Sequence, residues 1–362
     1  MIVFDNVSKA FADGTKAVDR LSLVVPNGKM TVFVGSSGSG KTTALRMVNR
    51  MIEPTSGAIT VDGVDVSTLD PVRLRLGIGY VIQHAGLMPH LRVIDNVATV
   101  PVLKGQSRRA ARTAAYGVLE RVGLDTKLAT RYPAQLSGGE QQRVGVARAL
   151  AADPPILLMD EPFSAVDPVV RLDLQNEILR LQSELHKTIV FVTHDIDEAL
   201  KLADQVAVFR AGTLQQYDEP ARLLSRPAND FVARFIGLGR GYRWLQLIDA
   251  TGLPLHDVRC IPADGLPETL ADGWAVVVDG AGAPMGWFDA NGLRRHRSGA
   301  SLSDSMSGIG SLFRPGGNLS QALDAALSSP SGVGLAVDER GRVIGGVLAG
   351  DVLAAADTRR RG

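Results

Sequence analysis

Short apolar segments alternate with longer segments of helical period from residue 2 to about residue 211. Apolar segments such as Ile156–Met159 and Ile189–Val192 have the length of strands. The segment Val169–Leu185 instead has a helical period. Its apolar residues at this spacing are Leu172, Ile178, Leu179 and Leu185. The alternation predicts an α/β fold with a largely parallel sheet. The apolar segments have the length of strands and are well short of the roughly 20 residues that a membrane helix needs.

The first candidate domain ends in a stretch of helix-breaking and polar residues. Arg226–Asp230 precedes a predicted helix that runs to Ile236, and Gly237-Leu238-Gly239 follows that helix. Glycines at this position mark the end of a helix and the start of a linker. We therefore predict two domains, residues 1–237 and residues 238–362. Two domains also suit this length at about 100–200 residues per domain.

The second candidate domain contains two similar segments. The first repeat, at about residues 240–297, has predicted strands at Trp274–Asp279 and Pro284–Phe288. The second repeat, at about residues 302–357, has predicted strands at Val333–Asp338 and Val343–Leu348. In each repeat a turn that contains glycine joins the two strands, and a helix follows them. The pattern predicts a smaller α+β domain built from two copies of one unit.

Charge and cysteine content narrow the class of protein. The 39 Lys and Arg residues balance 38 Asp and Glu residues, whereas nonspecific nucleic-acid binding needs a broad basic field, so no nucleic-acid partner is expected. Cys260 is the single cysteine, which excludes an intrachain disulfide, and we expect it to be a small core residue. Residues 1–11 lack the apolar stretch of a signal peptide, so we expect the chain to start in the cytoplasm.

A phosphate-binding loop follows the predicted strand Thr31–Val34. The loop sequence is Gly35-Ser36-Ser37-Gly38-Ser39-Gly40-Lys41-Thr42-Thr43, and a helix is predicted after it. Glycines let backbone N–H groups converge on phosphate oxygens, and the helix N-terminus adds partial positive charge. We expect Lys41 to neutralise the β- and γ-phosphates and the Thr42 hydroxyl to ligate Mg²⁺. A merely flexible Gly/Ser loop would not require Lys-Thr at this place.

Two adjacent acids end the apolar strand Ile156–Met159. Asp160 is predicted to hold the magnesium shell, and Glu161 is predicted to act as the general base that polarises water for attack on the γ-phosphate. Acids at a strand end can also cap the next helix, but Pro162 and the upstream phosphate loop favour the catalytic interpretation.

A second anion site is predicted at Leu136–Gln141, where a hydroxyl and glycines precede a helix rich in Arg and Ala. One chain has no second nucleotide for this site. Gln83 and His194 each follow a predicted strand, Gly79–Ile82 and Ile189–Thr193, at sheet ends where a γ-phosphate can be sensed. Each of these two residues alone is a weak signal.

Together and in this order, these segments and the loop Ser164–Asp167 resemble the ABC ATPase family over residues 2 to about 236. The resemblance implies a RecA-like core with a helical subdomain, the cofactors ATP and Mg²⁺, and a head-to-tail dimer in which Phe11 stacks on adenine. Ser137 and Gly139 would contact the γ-phosphate held by the opposite copy, and His194 would link that phosphate to the partner.

The site residues that the motifs and the resemblance imply fall into three groups. The nucleotide-binding residues are Phe11, Gly35, Ser36, Ser37, Gly38, Ser39, Gly40, Lys41, Thr42, Thr43, Ser137, Gly138, Gly139, Glu140 and Asp167. The catalytic residues are Glu161, His194 and Gln83, and the metal-binding residues are Thr42, Gln83 and Asp160.

Three further stretches resemble the ATPases of osmoprotectant importers, which carry glycine betaine, choline, carnitine or proline. They are Leu69–His90, Asn49–Gly57 and Pro227–Val232. The resemblance implies a subunit at the cytoplasmic face of the cell membrane, held there by integral-membrane permease subunits. An extracytoplasmic solute-binding protein would act with it indirectly. The apolar residues of His84–Val93 either dock the permease or pack inside the helical subdomain.

The two C-terminal repeats resemble a tandem pair of CBS motifs, which implies a regulatory domain. Asp351 matches the position that contacts ribose in that family, whereas Leu348, Phe288 and Asn291 depart from the pattern. The pair either binds an adenine nucleotide, only packs and dimerises, or responds to charge. The last interpretation rests on the clusters Arg294-Arg295-His296-Arg297 and Arg359-Arg360-Arg361, which could meet an anionic membrane.

The sequence is also compatible with other functions. The chain could serve another class of importer, or act as a soluble ABC ATPase in DNA repair or on ribosomes. Those soluble proteins usually carry long coiled-coil insertions or two cassettes, and this sequence has a single phosphate loop and no heptad run. In a further alternative, the C-terminal half is a ligand sensor and the ATPase is auxiliary.

Overall fold

The computed structural model describes residues 1–83, 85–164, 166–237, 239–270 and 273–361. Contacts along the chain divide it into two compact units, Met1–Gly237 and Leu238–Gly362. Of the residues singled out in the sequence, His84, Ala165 and Leu238 lie outside the described ranges.

The first unit combines a parallel sheet, an antiparallel sheet and a group of helices. Its strands are β1 (Ile2–Ala10), β2 (Lys16–Val25), β3 (Met30–Val34), β4 (Ser56–Val61), β5 (Val64–Asp65), β6 (Ile78–Val81), β7 (Ile156–Asp160), β8 (Thr188–Thr193), β9 (Gln205–Arg210) and β10 (Thr213–Asp218). Its helices are α1 (Lys41–Val48), α2 (Pro71–Leu76), α3 (Val93–Leu103), α4 (Arg108–Arg121), α5 (Gly138–Leu150), α6 (Pro168–Leu185), α7 (Ile196–Leu202), α8 (Pro220–Ser225) and α9 (Asp230–Ile236).

The parallel sheet has the strand order β10-β9-β3-β8-β7-β6. Its edge strand β10 runs antiparallel to β9, and the other neighbouring strands run parallel. Strands β3, β7 and β8 are buried at every position, as expected when both faces of a parallel sheet are covered. The predicted α/β fold with a largely parallel core is therefore confirmed. Because the carboxyl ends of β3, β7 and β8 share one edge, the segments that follow them lie side by side.

The antiparallel sheet, in the order β2-β1-β4-β5, shares one hydrophobic core with the parallel sheet. Phe4 of β1 contacts Phe33 of β3 edge-on, with ring centroids 6.2 Å apart. Phe33 also contacts Phe209 of β9 at 5.1 Å. Aromatic pairs of this kind contribute about 0.5–1.5 kcal/mol beyond the area that they bury, so the Phe4–Phe33 pair helps to hold the two sheets together.

Helices α3, α4 and α5 form the helical part of the first unit. Asp95 of α3 accepts two hydrogen bonds from the guanidinium group of Arg112 of α4, at 2.7 and 2.8 Å. Bidentate pairs of this kind fix the geometry of both side chains, which here joins the two helices. The arrangement agrees with the predicted helical subdomain.

The long helix α6 confirms the helix predicted from the apolar period, although not all of the apolar residues at that spacing are buried. The buried residues are Leu174, Gln175, Ile178 and Leu181, whereas Leu172 is 55% exposed. The buried positions from Leu174 onward follow the spacing of one helix face, and Leu172 lies two residues earlier on another side.

The second unit has its own strands and helices. Its strands are β11 (Cys260–Pro262), β12 (Ala275–Val278), β13 (Pro284–Phe288), β14 (Val333–Val337) and β15 (Val343–Leu348). Its helices are α10 (Arg240–Gln246), α11 (Ala290–Arg297), α12 (Leu302–Ser305), α13 (Leu319–Ser328) and α14 (Ala349–Arg361). Strand β11 pairs parallel with β12, β12 pairs antiparallel with β13, and β14 pairs antiparallel with β15.

Both repeats contain the predicted order of strand, turn, strand and helix, as β12-β13-α11 and as β14-β15-α14. The expectation that Cys260 is a core residue is wrong, because this cysteine is exposed. In β11 the buried position is Ile261, and side chains alternate between the two faces of a strand. Across the described parts of both units, no helix has the length and apolar character needed to cross a membrane.

Candidate functional site

The predicted phosphate loop joins β3 to α1, and α1 begins inside the motif, at Lys41. Gly40 has a φ of 99°, and a Cβ atom there would lie 2.1 Å from the carbonyl oxygen of Ala17, so only glycine fits. The first turn of α1 offers backbone N–H groups to an anion. The predicted residues in this loop and turn are Gly35, Ser36, Ser37, Gly38, Ser39, Gly40, Lys41, Thr42 and Thr43.

The ammonium group of Lys41 lies within the loop. Nζ donates to the carbonyl oxygens of Gly35 at 2.8 Å and Ser36 at 2.9 Å. The side chain is buried, and this burial lowers the pKa of Lys41, while the nearby carboxylates of Glu161 and Asp160 act in the opposite direction. A phosphate that enters the loop can replace the two carbonyl acceptors, so the arrangement suits a bound polyphosphate.

Thr42 and Asp160 are in direct contact. The Thr42 hydroxyl donates to Oδ1 of Asp160 at 2.8 Å, and Asp160, the last residue of β7, is 4% exposed. A hydroxyl that donates its proton to a carboxylate keeps its lone pairs for a cation, and Mg²⁺ prefers oxygen ligands. This donor set therefore fits the predicted magnesium site.

Glu161 follows Asp160 and is held in an unusual backbone conformation. Its φ is 45°, and its N–H donates to the carbonyl oxygen of Val192 at 3.0 Å. A left-handed residue other than glycine costs on the order of 1–3 kcal/mol and is concentrated at functional sites. Oε2 of Glu161 lies 3.1 Å from Nδ1 of His194. When Glu161 is ionised, Nδ1 carries the proton and donates it, which leaves Nε2 for another partner.

The segment predicted as a second anion site lies at the start of α5. Ser137 is the N-cap residue: its N–H and its hydroxyl donate to Oε2 of Glu140 at 2.7 and 2.9 Å. The N–H of Glu140 donates back to the Ser137 hydroxyl at 3.3 Å. Gly138 and Gly139 are the first two helical residues, so their N–H groups precede the intrahelical hydrogen bonds. This geometry suits an anion brought by another molecule.

The remaining predicted residues lie around these groups. Phe11 is 41% exposed, and Nζ of Lys9 lies 5.4 Å from its ring centroid. Gln83 is exposed and follows β6, which ends at Val81, one residue earlier than the predicted strand. Asp167 caps α6, since its Oδ1 accepts hydrogen bonds from the N–H groups of Val169 and Val170, at 3.1 Å each.

Arg148 of α5 is a residue that the sequence analysis missed. Its guanidinium group donates to the carbonyl oxygens of Gly86 at 2.6 Å and Ala85 at 2.7 Å. Burial lowers the pKa of Arg148. The helix that begins at the predicted second anion site is thereby bonded to the segment after Gln83. An arginine in a helix rich in arginine gave no signal that could have identified it.

Comparisons with known proteins agree with this geometry. Residues 18–164 match the sequence model of the ABC transporter family. The osmoprotectant import ATP-binding protein OsmV of Salmonella typhimurium is 40% identical over 99% of this chain and 98% of that protein. The glycine betaine uptake system ATP-binding protein YehX of Escherichia coli is 50% identical over 75% of this chain and 87% of that protein.

A solved structure of an ATP-binding cassette also resembles this chain. The dimeric structure of a post-hydrolysis state of the ATP-binding cassette MJ0796, bound to ADP and Pi, covers 61% of this chain and 99% of its own. Its sequence identity is 32% and its TM-score is 0.56. The nearly full-length match to OsmV, together with the phosphate loop and the acids at the end of β7, shows that this chain belongs to the ABC transporter family of ATP-binding proteins.

Proposed function

We propose that this chain is the ATP-hydrolysing subunit of an importer for osmoprotectants such as glycine betaine, choline, carnitine or proline. The observation that carries the proposal is the meeting of three groups at one sheet edge: the buried Lys41 ammonium, the Thr42–Asp160 pair and the Glu161–His194 pair. The names of OsmV and YehX, which refer to osmoprotectant import and glycine betaine uptake, support the substrate class.

Glu161 acts as the general base in this proposal. Its carboxylate takes a proton from the water that attacks the γ-phosphate, which is the role that a positioned acid has in phosphoryl transfer. His194 orients that carboxylate through Nδ1, at 3.1 Å, and as an imidazolium, with both ring nitrogens protonated, it can also donate from Nε2 to the γ-phosphate. Lys41 exchanges its carbonyl partners for β- and γ-phosphate oxygens. Phe11, which is exposed, provides a ring for the adenine.

The metal-binding residues in this proposal are Thr42, Asp160 and Gln83. Mg²⁺, when bound, neutralises charge on the β- and γ-phosphates. The Thr42 hydroxyl and the Asp160 carboxylate are already in contact, so little rearrangement of these side chains is needed to bind the cation.

Two copies of the chain form each complete site in a head-to-tail dimer. Ser137, Gly138 and Gly139 of one copy contact the γ-phosphate bound by the other copy. In the described structure the Ser137 hydroxyl is bonded to Glu140 of its own chain, so phosphate binding replaces this contact. Asp167 lies at the start of α6. Helix α5 contacts α6 closely, because a Cβ atom on Gly139 of α5 would lie 2.6 Å from Cγ1 of Val170 of α6. The structure of the MJ0796 cassette, which is described as dimeric, supports this arrangement.

The permease binds the loop before α3, and through it the chain is held at the cytoplasmic face of the membrane. Leu87, Met88 and Leu91 are half-buried in this loop. Asn96 of α3 is fully buried and fixes the loop, because its side chain bonds to the N–H of Met88 at 2.7 Å and to the carbonyl oxygen of Leu91 at 3.1 Å. A loop fixed in this way presents its apolar side chains in one conformation, which suits a docking surface.

The second unit is a tandem CBS-like regulatory domain in this proposal. Both of its repeats have the strand, turn, strand and helix order. Oδ2 of Asp351, the residue that matches the ribose-contacting position, lies 2.6 Å from Nε2 of His256. Three of the clustered arginines have partners inside the unit: Arg294 bonds to the side-chain oxygen of Asn291, Arg295 to the carbonyl oxygen of Ser305, and Arg359 to that of Thr251. The acceptors are neutral, so these arginines keep their charge, but their guanidinium groups are held by the unit itself and are less free to turn toward a membrane.

Uptake by a strain that lacks the gene tests the proposal. We expect the deletion strain to lose osmotically induced uptake of one or more of labelled glycine betaine, choline, carnitine and proline. The wild-type gene should restore uptake, and Glu161→Gln should not. Glu120→Gln, at an exposed position of α4, is the matched control and should restore it. Unchanged uptake of all four solutes after deletion would reject the substrate class, and restoration by Glu161→Gln would reject the catalytic role.

A further inference from the structure

The carboxylate of Asp160 is held by donors on both of its oxygens. Thr42 binds Oδ1, as described above. Oδ2 accepts from the phenol of Tyr80 and from Nη2 of Arg46, at 3.2 Å each. Nε of Arg46 also lies 3.4 Å from the Tyr80 oxygen, so the three side chains form a closed triangle.

The positions of these donors follow from the secondary structure. Thr42 and Arg46 are four residues apart on α1, so both lie on one helix face and reach the same carboxylate. Tyr80 of β6 pairs with Leu158 of β7, and Asp160 is two residues further along β7 on the same face. A tyrosine side chain is long enough to span that distance.

We propose that Tyr80 and Arg46 are positioning residues that fix the Asp160 carboxylate for metal binding. The inference rests on the proposed function, since the metal role of Asp160 is part of it. Because Oδ2 is occupied by two donors, the carboxylate cannot rotate freely, and Oδ1 stays beside the Thr42 hydroxyl. Side chains that bond to metal-binding groups in this way typically change metal affinity by about 10–100-fold when they are replaced.

Tyr80 is less exposed than Arg46. The Arg46 side chain is 45% exposed, and it lines an open cavity of about 290 Å³ together with Met51, Ile52, Ile82 and Tyr80 itself, so solvent screens its charge. Tyr80 is half-buried, and its phenol donates to Oδ2 of Asp160 from that position.

The test measures metal affinity rather than turnover. In a Glu161→Gln background that prevents hydrolysis, with protein in excess over ATP, Mn²⁺ is titrated and the free ion is followed by electron paramagnetic resonance. We expect Tyr80→Phe to raise the Kd for Mn²⁺ about tenfold. Affinity for ATP in EDTA should be unchanged, because the change acts through the metal. Adding Arg46→Gln should weaken Mn²⁺ binding further.

The matched control is Tyr217→Phe. The phenol of Tyr217 donates to the carbonyl oxygen of Val24 at 2.6 Å, away from the site, so its removal should leave Mn²⁺ affinity unchanged. Equal Mn²⁺ affinity with and without Tyr80→Phe in the Glu161→Gln background would overturn the positioning role, as would an equal loss of ATP affinity in EDTA. Asp160→Asn separates the two claims: if that variant keeps wild-type Mn²⁺ affinity, the proposed metal role of Asp160 itself is wrong.

Discussion

Two variants that are each inactive should regain ATP hydrolysis when they are mixed. In the proposed dimer each site takes Lys41 from one copy and Ser137 from the other. Lys41→Ala removes the donor that now bonds to the phosphate-loop carbonyls, and Ser137→Arg blocks the proposed anion site at the start of α5. A mixed dimer therefore has one site with both changes and one site with neither.

The structure sets the expected size of the effect. Losing the Ser137 cap costs about 0.5–2 kcal/mol, which is small beside the roughly 5–15 kcal/mol of a typical domain, so both variants should fold. With equal amounts and free exchange, about half of the dimers are mixed, and about a quarter of all sites are intact. If the sites act independently, the mixture should hydrolyse ATP at about a quarter of the wild-type rate.

Phosphate release is measured for each variant alone and after mixing, and differently tagged copies show by co-purification that mixed dimers have formed. Ser183→Arg, at an exposed position of α6, is the control for the added arginine and should be active alone. If mixed dimers form and activity does not rise above that of the separate variants, the shared site is refuted.

Two further predictions concern the permease and the response to pH. Leu87→Asp should lose co-purification with the permease while its ATP affinity stays unchanged. The control Val72→Asp, at an exposed position of α2, should keep co-purification. Co-purification of Leu87→Asp with the permease would reject the docking surface. Burial raises the pKa of Glu198 above its ordinary value of 4.5, so the folded state binds this proton more tightly than the unfolded state. The unfolding free energy of wild type, measured by urea titration, should therefore fall relative to that of Glu198→Gln as the pH rises above 4.5. A difference that stays constant with pH would contradict this.

Sequence patterns predicted the elements whose signals are local. The strands Pro284–Phe288 and Val343–Leu348 and the helix at Pro168–Leu185 were found because period and turn residues lie within a few positions of one another. The phosphate loop was predicted for the same reason: strand, glycines and Lys-Thr are contiguous. Motif order along the chain then predicted the family, which the comparison with OsmV confirms.

Contacts between distant segments gave no such signal. Tyr80 and Asp160 meet because β6 and β7 are neighbours in the sheet, and the strand order cannot be read from either segment alone. Arg148 reaches the carbonyl oxygens of residues 85 and 86 because α5 lies against that segment. Cys260 is exposed because an edge strand turns its alternate residues outward, which a count of cysteines cannot reveal.

The most direct test of the central claim, that Glu161 is the base of an ATPase site shared by two copies, is ATP turnover and dimer formation by Glu161→Gln. Gln keeps the size of the side chain and a hydrogen bond to His194 but cannot accept the proton from water. We expect hydrolysis to fall by about 10²–10⁴-fold and MgATP to trap a dimer, seen by sedimentation. Near-normal turnover, or a protein that stays monomeric with saturating ATP, would contradict the account.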